Sequence, residues 1–303
     1  MYAIKYIWMV CSILLISACG SDDATEDYKP TFSKKSLVTQ EEYIFGVHPL
    51  HNPKRLQTIY GPLVDYLNQH IKVVHFRLEA SRNYAAYDEK LDLKKFHFAL
   101  PNPYQTIIAA DNGYRVFAKM GDDENFRGLI ITRKDSPLKK VSDLKGHKVS
   151  YPAPTALAAT MMPQYFLYEN GLDVINDIET LYVGSQESSL MNTYLSKVDA
   201  GAVWPLPWKK FQIEHKERAD ELEIKWQTSP LPNNSLIARD DISTSLVQQV
   251  KELLLSLHTH DAGREILARM PLSKFEAAND KTYQPVRNFI TLFTQKIRDP
   301  RAK

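Results

Sequence analysis

Few residues in this chain are spaced for covalent chemistry. His48 and His51 stand three apart, and His258 and His260 lie beside Asp261, but neither set has the Glu or Cys neighbours of a zinc site. Gly61 to Leu67 lacks the Gly-Lys-Ser run of a phosphate loop. An enzyme would need a nucleophile with its base, a carboxylate pair or metal ligands. The histidines read instead as surface or loop residues, so no catalytic residue, metal or cofactor is expected. Groups suited to reversible binding are better represented. Thr155 and Ser185 precede predicted helices and Ser188 opens one, where a hydroxyl either caps the helix or joins free backbone N–H groups in holding an anion. Trp204 and Trp208 frame a short loop, where their rings can stack on a planar solute, cover a quaternary cation, or pack in the core.

The elements that must position these residues alternate in type. Glu42–Val47, Val73–Leu78 and Phe96–Leu100 read as strands, separated by a helix carrying Leu56, Ile59, Leu63, Val64 and Leu67 on one face and by a second helix over Tyr84–Leu93. Pro62 predicts a kink or a later start in the first helix, and Pro101-Asn102-Pro103 reads as a stop. Strands follow at Arg115–Lys119 and Gly128–Arg133. Then His147–Tyr151, a helix over Leu157–Tyr168, Ile178–Val183, a helix over Ser188–Leu195 and Asp199–Trp204 repeat the pattern. Ser235–Ala238 returns as a strand, and amphipathic helices centred on Val250 and Phe289 end the series. This order predicts parallel α/β sheets in two lobes. In such sheets ligands bind beyond the carboxyl ends of the strands, which selects the loops His48–Asn52, Ser81–Tyr84, Pro101–Tyr104, Pro152–Ala156, Ser185–Ser188 and Trp204–Trp208.

Length and composition allow this. The 303 residues are 44% hydrophobic, enough for substantial cores, and 38 basic against 36 acidic side chains give a net charge of +2 that argues for no nucleic-acid partner. Both cysteines, Cys11 and Cys19, are near the N-terminus, so no disulfide framework supports the body. Lys5, the apolar run Tyr6–Ile16 and then Ser17-Ala18-Cys19 form a signal peptide over residues 1–18 whose end resembles a bacterial lipobox, with Cys19 the lipidated residue. The polar stretch over residues 19–40 reads as a flexible tether. Several acyl chains on Cys19 would anchor the protein to a bacterial membrane on its periplasmic or extracellular face.

The run Gly128–Leu138 followed by Val141–Val149 resembles the crossover segment of type II periplasmic solute-binding proteins. Within that superfamily the chain is most similar to the phosphate, phosphite and phosphonate branch. The matches are Phe45-Gly46, Tyr60-Gly61-Pro62-Leu63, Asn83-Tyr84-Ala85-Ala86, Phe98-Ala99, Gly184-Ser185, Val198-Asp199-Ala200 and Pro232-Asn233, over residues 42 to 297. The resemblance implies an α/β, two-lobed fold with two crossover strands as hinge, lobe one over 41–127 plus 235–303 and lobe two over 128–234. It further implies a monomer that takes a small polar or anionic solute between its lobes and hands it to an ABC permease, or reports it to a membrane sensor. The family's run of hydroxyl residues after the first lobe-two strand is reduced here to Thr155, beside the N–H groups of Ala156 and Leu157. Its histidine is Gln186, its Gly-Pro pair is Asn102-Pro103, and its ligand-facing tyrosine is Tyr84. The expected ligand-binding set is His48, Tyr84, Asn102, Tyr104, Thr155, Ala156, Ser185, Gln186 and Trp204.

Overall fold

A computed structural model describes residues 40–302. The expected signal peptide, Cys19 and the tether as far as Thr39 lie outside the described residues. The chain begins with β1 (Glu41–Val47), α1 (Pro53–His70), β2 (Val74–Ala80), α2 (Tyr84–Asp92), β3 (Phe98–Leu100), α3 (Pro103–Ala110) and β4 (Tyr114–Met120). It continues with β5 (Leu129–Arg133), β6 (Lys148–Tyr151), α4 (Met162–Glu169), β7 (Glu179–Tyr182), α5 (Gln186–Tyr194), β8 (Ala200–Val203), α6 (Pro205–Glu214), α7 (Lys216–Ala219) and β9 (Leu222–Gln227). It closes with β10 (Ser235–Arg239), α8 (Thr244–Ser256), α9 (Asp261–Arg269), β11 (Phe275–Ala277) and α10 (Gln284–Lys296).

Among the described residues these strands form two sheets, in the order β11-β4-β10-β3-β1-β2 and β7-β6-β8-β5-β9. Both are mixed, which corrects the expectation of parallel sheets. β1 runs parallel to β2 and β3, and β6 to β7 and β8, but β10 is antiparallel to β3 and β4, and β5 to β8 and β9. The reason is connectivity: strands reached through α/β crossovers stay parallel, whereas β5 and β10 arrive from the other sheet and need not.

Each sheet is covered on both faces. Leu56, Leu63 and Leu67 of α1 pack with Phe45 and Val47 against one face of the first sheet, together with Val250 and Leu254 of α8. Tyr87 of α2, Ile107 of α3 and Val286 and Phe293 of α10 cover the other. Pro62 lies inside α1, which still starts at Pro53 with Asn52 capping the Arg55 N–H, so the later start does not occur. Gly46 on β1 admits the Phe96 ring, whose atoms lie 2.5 Å from where a Cβ would stand.

Two segments, 121–128 and 228–234, carry the chain between the sheets and run side by side. Thr228 N donates to Gly128 O at 2.9 Å and Leu231 N to Phe126 O at 3.0 Å. The Asn233 amide donates to Gly121 O at 2.8 Å. The crossing therefore lies just before β5, whose own pairing is wholly within the second sheet.

Candidate functional site

The loop after β1 begins with His48, whose backbone N–H and Nδ1 both meet Leu100 O, at 3.1 and 3.0 Å. A carbonyl only accepts, so Nδ1 carries the proton and Nε2 is left as an acceptor. Burial lowers the ring pKa to about 4, so His48 is neutral at pH 7. Tyr84 opens α2 behind the Asn83 cap and packs on Ala153, Ala156 and Ala159 from the second sheet's loops. Burial pushes its phenol well above the usual range, and the neighbouring Gln186 amide opposes that shift. Gln186 begins α5, is 4% exposed, and has an Oε1 without a partner among the described residues. Ala156 leads into Leu157–Met161, a π-helical turn that precedes α4 where the sequence predicted one continuous helix. Such wide turns recur at functional sites.

His48, Tyr84, Asn102, Ala156, Gln186 and Trp204 line one cavity between the two sheets. Trp204 meets Phe126 of the crossing segment edge to face, with centroids 5.4 Å apart, so its ring is both core and wall. The cavity measures about 10 Å³, one water's worth of space, and its walls are neutral. An oxyanion can enter only if the halves part. Asn234 also lines it, fully buried, with an Oδ1 that has no partner among the described residues.

The remaining three expected residues are placed elsewhere. Thr155 donates its hydroxyl to Asp88 at 3.1 Å and borders a separate groove beside α2 and the C-terminal segment. Tyr104 is 2% exposed and packs within the core under the first sheet. Ser185 caps α5, accepting from Ser188 N at 3.0 Å, and faces a different chamber. Asn102 belongs to a latch between the halves: its Oδ1 accepts from Gln105 N and its Nδ2 donates to Thr155 O, each at 3.0 Å. Gln105 Nε2 in turn donates to Asp88 at 2.6 Å. Burial raises the Asp88 pKa, and the Gln105 and Thr155 donors oppose that shift. Trp208 stacks on Phe211 in the core of the second sheet, and His260 caps α9.

The second chamber, of about 160 Å³, lies between the loop 49–53 and Arg82 on one side and Ser185–Glu187 and α6 on the other. Four of the six loops selected from sequence meet there. Of its cations, Arg82 lies within the selected loop Ser81–Tyr84 without having been singled out, and Arg55 and Lys210 lie just beyond two others; no local motif links the three.

The model of a family described as "ABC transporter, phosphonate, periplasmic substrate-binding protein" matches residues 45–283. The chain is 21% identical over 184 residues to a probable ABC transporter phosphite-binding protein of Prochlorococcus marinus, an alignment covering 56% of this chain and 62% of that protein. It superposes on a binding-protein component of a Pseudomonas aeruginosa ABC phosphonate transporter with a TM-score of 0.77 and 19% identity, covering 85% of this chain and 88% of that one. The Prochlorococcus marinus PhnD1 structure in complex with methylphosphonate gives the same TM-score at 17% identity, covering 84% and 99%. At such identities the superpositions establish the fold, two mixed sheets of the type II periplasmic-binding-protein kind. The match to residues 45–283 does more: this chain belongs to the ABC-transporter phosphonate periplasmic substrate-binding protein family, whose members bind solutes rather than transform them.

Proposed function

We propose that this protein captures a phosphonate-class oxyanion between lobes at 41–127 plus 235–303 and 128–234 and delivers it, as a monomer lipid-anchored through Cys19, to an ABC permease. The observation that carries the reading is the convergence of His48, Tyr84, Asn102, Ala156, Gln186 and Trp204, from six separate segments, on one inter-sheet cavity. Its walls supply neutral dipoles instead of counter-ions. Once water is excluded such dipoles hold a small oxyanion without a buried ion pair.

Thermal unfolding of the purified protein with methylphosphonate, phosphite, phosphate and an alkyl sulfonate tests this. A cognate solute at 100 times its Kd stabilises the fold by about 2.7 kcal/mol; absence of any shift with all four refutes the reading. Metabolic labelling with a radioactive fatty acid tests the anchor, since Cys19→Ala is expected to abolish incorporation and label retained in that variant rejects it.

A further inference from the structure

We propose that the 160 Å³ chamber is a second anion subsite, so that the preferred solute carries two anionic groups, one reaching the inner cavity and one held by Arg55 and Arg82. This rests on the solute reading above and sharpens it. Gln186 borders both spaces, so a solute head in the inner cavity extends naturally into the chamber. An engineered cavity of about 150 Å³ accepts benzene, and the chamber accommodates a group of that size.

Charge selects the sign of that group. Three cations, Arg55, Arg82 and Lys210, face two carboxylates, Glu187 and Glu214. Glu214 is shared by Arg55 and, at 3.7 Å, by Lys210, while Glu187 lies 3.6 Å from His215. Arg82 is exposed and has no carboxylate partner among the described residues. The buried Nε–H of Arg55 likewise has no acceptor among them. A carboxylate or phosphoryl oxygen satisfies that donor and offers Arg82 a charge-assisted bond, whereas an ammonium group would satisfy neither. Gln186 adapts to an anion as well. Its Oε1 has no partner among the described residues, so a half-turn of the amide breaks no bond to that atom and presents Nε2 as a donor. The N-terminal ends of α1 and α5 border the same chamber and add the positive ends of their dipoles.

The test is isothermal titration of the full chain with methylphosphonate, which has one anionic head, and with 3-phosphonopropionate, which has two. The two-headed solute is expected to bind at least about tenfold more tightly, as one added Arg–carboxylate bond provides. In Arg82→Gln, an exposed position whose change leaves the fold intact by circular dichroism, the ratio of the two affinities is expected to fall toward one. Equal affinities in the wild type, or a tenfold ratio that survives in the Arg55→Gln/Arg82→Gln double variant, overturn the second subsite alone. If neither solute binds, the phosphonate reading fails and takes the subsite with it.

Discussion

Acidification should expose the buried, neutral His48. In the folded protein its pKa is lowered to about 4 by burial, against an ordinary value of 6.5. The unfolded chain therefore binds a proton first as pH falls. The contribution of neutral His48 is fully present above pH 6.5 and is lost as pH drops through the window from 6.5 to about 4. At about 1.4 kcal/mol for each pH unit, the whole window is worth about 3 kcal/mol, and the part between pH 6.5 and 4.5 about 2–3 kcal/mol. His51, lowered to about 3 by burial and by the neighbouring Arg55 cation, adds a loss of the same sign. His48→Asn isolates the effect, because an amide can still donate to Leu100 O while lacking a group that titrates. Urea unfolding at pH 7 and pH 4.5 is the assay. Wild type should lose about 2–3 kcal/mol more stability than His48→Asn on acidification. Equal losses, or an NMR titration of the His48 ring with a midpoint near 6.5, refute the reasoning.

Three substitutions test the packing around the cleft. Asn102→Ala removes both a helix cap and the bond to Thr155 O, and should cost about 1–3 kcal/mol in urea unfolding; a change within error would dismiss the latch. Gly201→Ala would place a Cβ 2.2 Å from Thr193 Oγ1 and 2.8 Å from Ser189 O, so β8 and α5 must separate at a cost of about 1–3 kcal/mol, seen as a lower Tm. Arg298, in the segment after α10, donates to Pro154 O at 3.0 Å and to Gln164 Oε1 at 3.0 Å while lying over the Tyr182 ring. Arg298→Ala should destabilise by about 1–3 kcal/mol, and Arg298→Lys should fail to restore it because an ammonium lacks the planar fork; full rescue by Lys would contradict that account.

The elements were legible wherever side-chain period was strong. The apolar stripe of α1 and that of α8 face the sheet as their spacing requires. Pro101-Asn102-Pro103 does stop β3 at Leu100, but the same residues also start α3, which passed unread: Asn102 caps it and Pro103 occupies its first turn, where no N–H is needed. The edge strands β9 and β11 passed unread, although Leu222, Ile224 and Trp226 alternate with polar neighbours along β9; Phe275–Ala277 is too short to show a period.

By itself the sequence determined the alternation of strands and helices, the loops from which a cleft must be built and the family pattern. These depend on local period, capping and turn chemistry, which neighbouring residues settle among themselves. Tertiary structure decided which loop residues face the solute. Thr155 looked like an anion donor until α2 brought Asp88 within 3.1 Å of its hydroxyl. Arg55, Arg82 and Lys210 look like scattered surface charges until the two sheets bring α1, the loop after β2 and α6 around one chamber. Such choices follow from sheet register and from where the chain crosses between sheets, quantities set by contacts between segments far apart in sequence.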